Sequence, residues 1–167
     1  MHQMTQENTK AAFAGESQAH MKYLNFAEKA AQEGKENVAR LFRAASFAEQ
    51  VHATGHLKVL EGIGSTSENL ATAMAGENFE VEEMYPAYIA VAEKQGEDKA
   101  QKSFQYAIEA EKVHFDLYQK SKQAVDAGED VALGDLWVCP YCGYTMEGEA
   151  PDRCPVCRAL KKNFVKF

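Results

Sequence analysis

The chain of 167 residues is long enough for one ordinary domain, or for one domain and a small additional module. Charged residues make up 26% and apolar residues 46%, as in ordinary globular proteins, and no uncharged apolar run could span a membrane. The net charge is −7 without any block of lysine or arginine, which argues against nucleic acid as the main partner. Residues 1–16 contain no apolar export signal, so we expect a cytoplasmic protein.

Four helices are predicted before the last part of the chain. The spacing of apolar residues places them at about residues 5–32, 36–61, 68–95 and 97–127. The connections after the first and third helices are very short, so each of these pairs should form an antiparallel hairpin. The connection between the hairpins is longer, and it reaches Asn78 if the start of the third helix lies outside the bundle. One long crossover between two hairpins is the wiring of a ferritin-like, all-α four-helix bundle.

A smaller module is predicted at the end of the chain. Residues 128–134 have the composition of a linker, and all four cysteines follow them. We therefore predict a bundle over residues 1–134 and a four-cysteine domain over residues 135–167. Cys139-Pro-Tyr-Cys142 and Cys154-Pro-Val-Cys157 each present two thiolates, and two such knuckles complete a tetrahedral site for one metal ion.

The cysteine pairs favour a metal site over two disulfides, because no export signal is seen. A module of this size cannot bury enough surface to fold alone, so the metal should supply folding energy. The motif does not distinguish iron from zinc, since a rubredoxin and a zinc ribbon look alike at this level.

Carboxylates and histidines fall on the inward stripes of all four predicted helices. The second and fourth helices each carry Glu-x-x-His, and residues three apart lie on the same side of a helix. The candidate ligands are Glu16, Glu49, His52, Glu80, Glu83, Glu111 and His114. Any one glutamate could be a surface charge, but the whole set would be costly to bury without a cation. Two divalent irons would offset most of the five carboxylate charges and two trivalent irons all of them, and carboxylate with imidazole suits iron or manganese.

Two further expectations concern the third helix. Pro86 should bend it near the site, because proline removes one backbone hydrogen bond. Glu77, which precedes the candidate ligands on this helix, is expected to face solvent.

These motifs closely resemble those of the rubrerythrin family, over nearly the whole chain. The resemblance is carried by Glu16-Ser-Gln-Ala-His-Met-Lys-Tyr23, Ala48-Glu49-Gln-Val-His52, Glu80-Val-Glu-Glu83-Met-Tyr-Pro86, Glu111-Lys-Val-His114 and the two cysteine knuckles. It implies a non-haem di-iron (Fe–O–Fe) peroxidase that reduces hydrogen peroxide to water and protects anaerobic cells from oxidative stress. Electrons would enter through one iron held by the four cysteines, or zinc in recombinant protein, from a rubredoxin or an NAD(P)H-linked reductase.

The resemblance also implies residue roles. The seven candidate ligands above would hold the iron pair, and Glu83 and His52 would exchange at one iron on reduction. Tyr23 and Tyr88 would lie beside the site and hydrogen-bond to ligand carboxylates. The family usually has glycine after the second cysteine of each knuckle, in a left-handed backbone conformation. Gly143 fits this pattern, whereas Arg158 departs from it and should cost roughly 1–2 kcal/mol.

The distance between the two metal sites and the assembly are further expectations. The fourth helix continues for about 18 Å beyond His114 at about 1.5 Å per residue, so we expect the two sites of one chain to be far apart. A head-to-tail homodimer would bring them together, and a helix-swapped dimer is the alternative. A ferritin-like ferroxidase that handles iron is the competing function, and a zinc ribbon on an iron-free helical scaffold is the third.

Overall fold

The computed structural model describes all residues from Met1 to Phe167. The chain forms two compact units, Met1–Gly64 and Ser65–Phe167. The predicted fold class is confirmed: helices of the ferritin-like class are followed by a small domain that contains the four cysteines. No helix is both long and apolar enough to cross a membrane. The domain boundary between residues 134 and 135 stays a prediction.

The first unit is an antiparallel hairpin of α1 (Gln3–Gln32) and α2 (Glu36–Val59). Small side chains occupy its buried positions, which lets the two helix backbones approach closely: Ala27, Ala30, Ala39, Ser46 and Ala53. The hydroxyl of Ser46 donates a hydrogen bond of 2.9 Å to the carbonyl oxygen of His20. Nδ1 of His20 lies 2.9 Å from the carbonyl oxygen of Ser46. His20 therefore ties α1 to α2.

The second unit begins with α3 (Thr66–Phe79), whose start is set by a capping box. The hydroxyl of Ser65 accepts a hydrogen bond from the backbone N–H of Glu68, and the Glu68 carboxylate accepts one of 2.7 Å from the backbone N–H of Ser65. Two backbone donors at the helix end are satisfied in this way. The connection from α2 therefore covers only residues 60–65, which is shorter than the stretch to Asn78 that the sequence allowed.

A π-helical turn, Glu80–Met84, separates α3 from α4 (Tyr85–Gln95). Pro86 lies in the first turn of α4 and has no N–H to donate, so the irregular turn falls where this proline predicted a bend. The last helix, α5 (Asp98–Asp126), packs against both α3 and α4. The second unit thus holds a helical hairpin whose first arm is interrupted beside the predicted ligands.

The four-cysteine domain contains a three-stranded antiparallel sheet in the order β2–β1–β3. Its strands are β1 (Leu136–Val138), β2 (Thr145–Glu147) and β3 (Val165–Lys166). The buried core consists of Cys139, Cys154, Ala150 and Phe164, with Trp137 packed against it. Two of these four residues are cysteines, so the apolar core is small and a metal is needed to stabilise the domain.

Candidate metal centres

The four cysteine sulfurs form one compact group whose members all lie within 4.8 Å of one another. Sγ of Cys139 is 3.5 Å from Sγ of Cys157, and the same distance separates Cys142 from Cys154. A tetrahedral metal with bonds of about 2.3 Å to sulfur would have sulfur–sulfur edges of about 3.8 Å. The arrangement therefore fits a single ion with four thiolate ligands.

The two knuckles repeat the same backbone geometry. Gly143 N–H donates to the carbonyl oxygen of Cys139 at 2.9 Å, and Arg158 N–H donates to that of Cys154 at 3.0 Å. The φ angles at the two donors are 77° and 68°, respectively. The left-handed conformation expected at Arg158 is thus confirmed, in a residue type that adopts it at a cost.

Burial makes two of the free thiols poorer acids, whereas at Cys154 burial is outweighed by backbone hydrogen bonds from Cys157 and Val156, which lower its pKa. Burial raises the pKa of Cys142 above the ordinary value, and the hydrogen bond from the Tyr144 backbone only partly opposes this. Burial also raises the pKa of Cys157. Four thiolates at this spacing need a cation to offset their charge, and the chemistry of the donor set selects a metal that prefers sulfur.

A first cluster in the hairpin of α1 and α2 consists of Glu16, Glu49 and His52, with ligand atoms within 4.8 Å of one another. Nδ1 of His52 lies 2.9 Å from Oε2 of Glu49, three residues earlier on α2. The Glu49 side chain is 19% exposed and that of His52 is 56% exposed. This cluster contains three of the predicted ligands, one from α1 and two from α2.

A second cluster in the hairpin of α3 and α5 consists of Glu77, Glu111 and His114. Nδ1 of His114 lies 2.6 Å from Oε2 of Glu111 and 3.9 Å from Oε1 of Glu77. Burial and the charge of Glu111 raise the pKa of Glu77 to about 7. The same two causes raise the pKa of Glu80, which lies beside the cluster. Carboxylates that repel one another in a partly buried site are stabilised by a cation.

The expectation that Glu77 faces solvent is wrong, because its side chain is only 17% exposed and belongs to the second cluster. Glu83, in contrast, is exposed and lies in neither cluster. The physical reason is the π-helical turn, which inserts one extra residue into the helix. Extrapolating the apolar stripe backwards from Tyr88 through this turn therefore gave the wrong phase. The spacing Glu77-x-x-Glu80 puts both carboxylates on the same side of the helix and was the signal that could have pointed to Glu77.

The tyrosines named from the resemblance pack against other rings. Tyr23 lies 6.0 Å from Phe42 and Tyr88 lies 5.6 Å from Phe104, measured between ring centroids. No hydrogen bond joins either hydroxyl to a cluster carboxylate.

Two other tyrosines, which sequence reasoning missed, lie beside the second cluster. Burial and the charge of Glu80 raise the pKa of Tyr85, and burial and the charge of Glu77 raise the pKa of Tyr118. The ring of Tyr118 is also 6.5 Å from that of His114. Tyr118 follows His114 by one helical turn of α5, a spacing that could have pointed to it.

The four-cysteine domain packs against α5 beside the second cluster. Oγ1 of Thr145 lies 2.8 Å from Nε2 of His114. Six residues further along α5, Lys120 pairs with Glu147 at 2.8 Å. We expected the four-cysteine site and the carboxylate site of one chain to lie far apart. For the second cluster this expectation is wrong, because the four-cysteine domain contacts it directly. The segment after α5 reverses direction, so the domain returns along the helix instead of extending beyond its end.

Comparisons with known proteins agree with both parts of the chain. A family model described as Rubrerythrin matches residues 7–122, and one described as "Rubrerythrin, rubredoxin-like domain" matches residues 137–165. The chain belongs to the rubrerythrin family. Rubrerythrin-2 of Clostridium acetobutylicum is 36% identical to it, over 98% of this chain and 97% of that protein. Nigerythrin of Nitratidesulfovibrio vulgaris is 37% identical, over 98% of this chain and 86% of that protein.

Solved structures of nigerythrin resemble the chain as well. The structure of its fully reduced, all-ferrous state is 36% identical in sequence, covers 98% of this chain and 86% of that one, and has a TM-score of 0.56. As a rubrerythrin-family protein, the chain carries a di-iron centre and a mononuclear iron, and it is an iron oxidoreductase. The donor sets fit these cofactors, since carboxylates with imidazole suit a di-iron centre and four thiolates suit a single iron.

Proposed function

We propose that the chain is a peroxidase that reduces hydrogen peroxide to water and protects the cell against oxidative stress. The observation that carries the proposal is the hydrogen bond of 2.8 Å between Thr145 in the four-cysteine domain and His114 in the second cluster. A protein that only stores iron needs no thiolate iron beside its carboxylate site. A peroxidase has a use for one, because each peroxide reduced to two waters takes two electrons and two protons, and the electrons must be returned to the carboxylate site from a donor.

The residues proposed to hold the iron pair are those predicted from the sequence, with one exchange. Glu77 replaces Glu83 in the set predicted from the sequence, which otherwise remains as predicted: Glu16, Glu49, His52, Glu80, Glu111 and His114. When bound, the iron pair supplies two electrons to the oxygen–oxygen bond of peroxide, and the iron held by Cys139, Cys142, Cys154 and Cys157 passes on electrons from a donor.

The protein's own groups organise the site around these ions. The partly buried carboxylates provide anionic ligands, and their mutual repulsion favours the cation-bound state. The phenol groups of Tyr85 and Tyr118 remain protonated beside them and can donate hydrogen bonds. The electron donor is proposed to be a rubredoxin or an NAD(P)H-linked reductase.

The assembled protein is proposed to be a homodimer, either head-to-tail or helix-swapped. Each unit has exposed apolar side chains on its helices: Leu41, Phe47 and Val51 on α2, and Phe79, Tyr88 and Val91 on α3 and α4. Such faces usually mark protein–protein contacts, and a second copy of the chain is the proposed occupant. Sedimentation equilibrium of the iron-loaded protein should give twice the monomer mass, whereas a monomer would contradict the proposal.

Anaerobic stopped flow tests the peroxidase proposal. Fully reduced, iron-loaded protein is mixed with hydrogen peroxide, and the visible absorption of the ferric four-cysteine iron is followed. We expect fast oxidation by peroxide, much faster than by air-saturated buffer. A Cys142→Ser variant should lose this absorption and serves as the spectral control. Slow oxidation by peroxide would contradict the proposal and favour iron handling, and no absorption in the parent protein would favour a zinc-filled structural module.

A further inference from the structure

A hydroxyl group of the four-cysteine domain meets the histidine of the second cluster at a buried contact. Thr145 is the first residue of β2 and is 7% exposed. Its Oγ1 lies 2.8 Å from Nε2 of His114, 31 residues earlier in the chain. Next to this contact, a Cβ built on Gly143 would lie 3.8 Å from Cβ of Ala110, so the first knuckle rests directly on α5. The packing holds the threonine hydroxyl in place against the imidazole ring.

The proton of the threonine hydroxyl determines the direction of this hydrogen bond. Oγ1 of Thr145 donates to the carbonyl oxygen of Gly143 at 3.0 Å. A hydroxyl has one proton to donate and two lone pairs that accept. With its proton directed at Gly143, the hydroxyl can only accept from His114. Both contacts of the hydroxyl are hydrogen bonds at the same time only when Nε2 of His114 carries a proton.

The other ring nitrogen faces the carboxylates. Nδ1 of His114 lies 2.6 Å from Oε2 of Glu111 and 3.9 Å from Oε1 of Glu77. The distance to Glu111 is that of a hydrogen bond, so a proton lies between Nδ1 and this carboxylate while no metal is bound. A metal bound at the cluster would take the place of that proton, and it needs a ring whose remaining proton is on Nε2 and whose lone pair is on Nδ1. Without an acceptor at Nε2, the competing tautomer would place its proton on Nδ1 and donate to Glu111. That tautomer cannot bind a metal through Nδ1.

We propose that Thr145 is a positioning residue of the iron centre. It accepts the Nε2 proton of His114, keeps the Nδ1 lone pair available and so raises the metal affinity of the second cluster. The proposal rests on the assignment of this cluster as a metal site under the proposed function. It also means that the four-cysteine domain, in addition to carrying its own iron, sets the ligand geometry of the neighbouring centre.

The test uses the full chain with one equivalent of zinc, which occupies the thiolate site first because that site prefers the ion. Cobalt(II) is then titrated into the parent chain and into Thr145→Val, Thr145→Ser and Glu111→Gln variants. Thr72→Val is the matched control, since its exposed hydroxyl only donates to the carbonyl oxygen of Glu68 on the same helix. Circular dichroism and the retained zinc content show whether each variant is folded.

Thr145→Val is expected to weaken cobalt binding roughly 10- to 100-fold, the range found when the hydrogen-bond partner of a metal-bound histidine is removed. Thr145→Ser and Thr72→Val should bind as the parent does. Nitrogen NMR of zinc-saturated protein should show the His114 proton on Nε2 in the parent, with faster exchange of this proton in Thr145→Val. Parental affinity in a folded Thr145→Val chain, or a proton on Nδ1 in the parent, would overturn the proposal.

The Glu111→Gln variant separates this inference from the proposed metal site. If Glu111→Gln loses cobalt and Thr145→Val does not, the metal site stands and only the positioning role is refuted. If neither the parent nor any variant binds cobalt beyond the thiolate site, the metal assignment of the second cluster fails, and the positioning role fails with it.

Discussion

Replacing Arg158 by glycine should stabilise the four-cysteine domain. Arg158 has a φ angle of 68°, and a non-glycine residue in this conformation costs roughly 1–2 kcal/mol. Glycine removes that cost but also gives the unfolded chain more freedom, which reduces the gain by about 0.4–1 kcal/mol. The net effect should therefore be a stabilisation of about 0.5–1 kcal/mol.

The equivalent position in the first knuckle provides the opposite change. Gly143 has a φ angle of 77°, so Gly143→Ala should destabilise the domain by a similar amount. The added methyl group would lie 3.8 Å from Cβ of Ala110, an ordinary contact, so backbone strain and not a clash sets the cost. Arg158→Ala removes the charge but keeps a Cβ, and should change stability less than Arg158→Gly does.

Trp137 gives a specific assay, because it is the only tryptophan and it packs against the core of the four-cysteine domain. Its Nε1–H donates a hydrogen bond of 2.9 Å to the carbonyl oxygen of Gly148. Guanidinium unfolding of the zinc-loaded chain, followed by tryptophan fluorescence at a fixed free zinc concentration, would report the stability of each variant. A loss of stability in Arg158→Gly, or equal gains in Arg158→Gly and Arg158→Ala, would refute the backbone argument.

Three further predictions follow from the second unit. Glu77→Gln should lower the iron content per chain measured by metal analysis, whereas Glu83→Gln should retain it, because only Glu77 belongs to a cluster. In metal-free protein the pKa of Glu77 is raised from 4.5 to about 7, so the folded state binds more protons than the unfolded state in this range. Its stability to urea should therefore fall as the pH rises from 5 to 8, and this slope should be smaller in Glu77→Gln; equal slopes would contradict the shift. Ser65→Ala should lower the free energy of unfolding by about 1 kcal/mol through loss of the α3 cap, and an unchanged melting temperature would argue against it.

Regular helices made much of the site predictable. On α2 and α5, residues three apart share a face, and each Glu-x-x-His pair is joined in the structure by a contact between Nδ1 and Oε2. The cysteine knuckles were predictable for a similar reason, since their spacing sets the local backbone. In both cases the residues that meet are close in sequence, so their spacing alone indicates which side chains come together.

Irregular backbone and long-range packing were not predictable. The π-helical turn at Glu80–Met84 changes the phase of the helix without a distinct pattern of apolar residues, which is why Glu77 was placed in solvent. The contact between Thr145 and His114 depends on how the chain reverses after α5 and on the fit of β2 against that helix. A threonine in a short strand has no local feature that would indicate such a partner.

The difference between the two knuckles shows why one of them tolerates a departure from glycine. The first knuckle faces α5, where Gly143 has a left-handed backbone and a Cβ would already touch Cβ of Ala110, so any side chain longer than that of alanine would have to fit against the helix. The second knuckle has only the backbone requirement, because the side chain of Arg158 is exposed. A strain of roughly 1–2 kcal/mol is small against the roughly 10–16 kcal/mol that a structural metal can contribute to folding. The metal therefore keeps the second knuckle closed despite the arginine, and the strain becomes measurable only when domain stability is compared between variants.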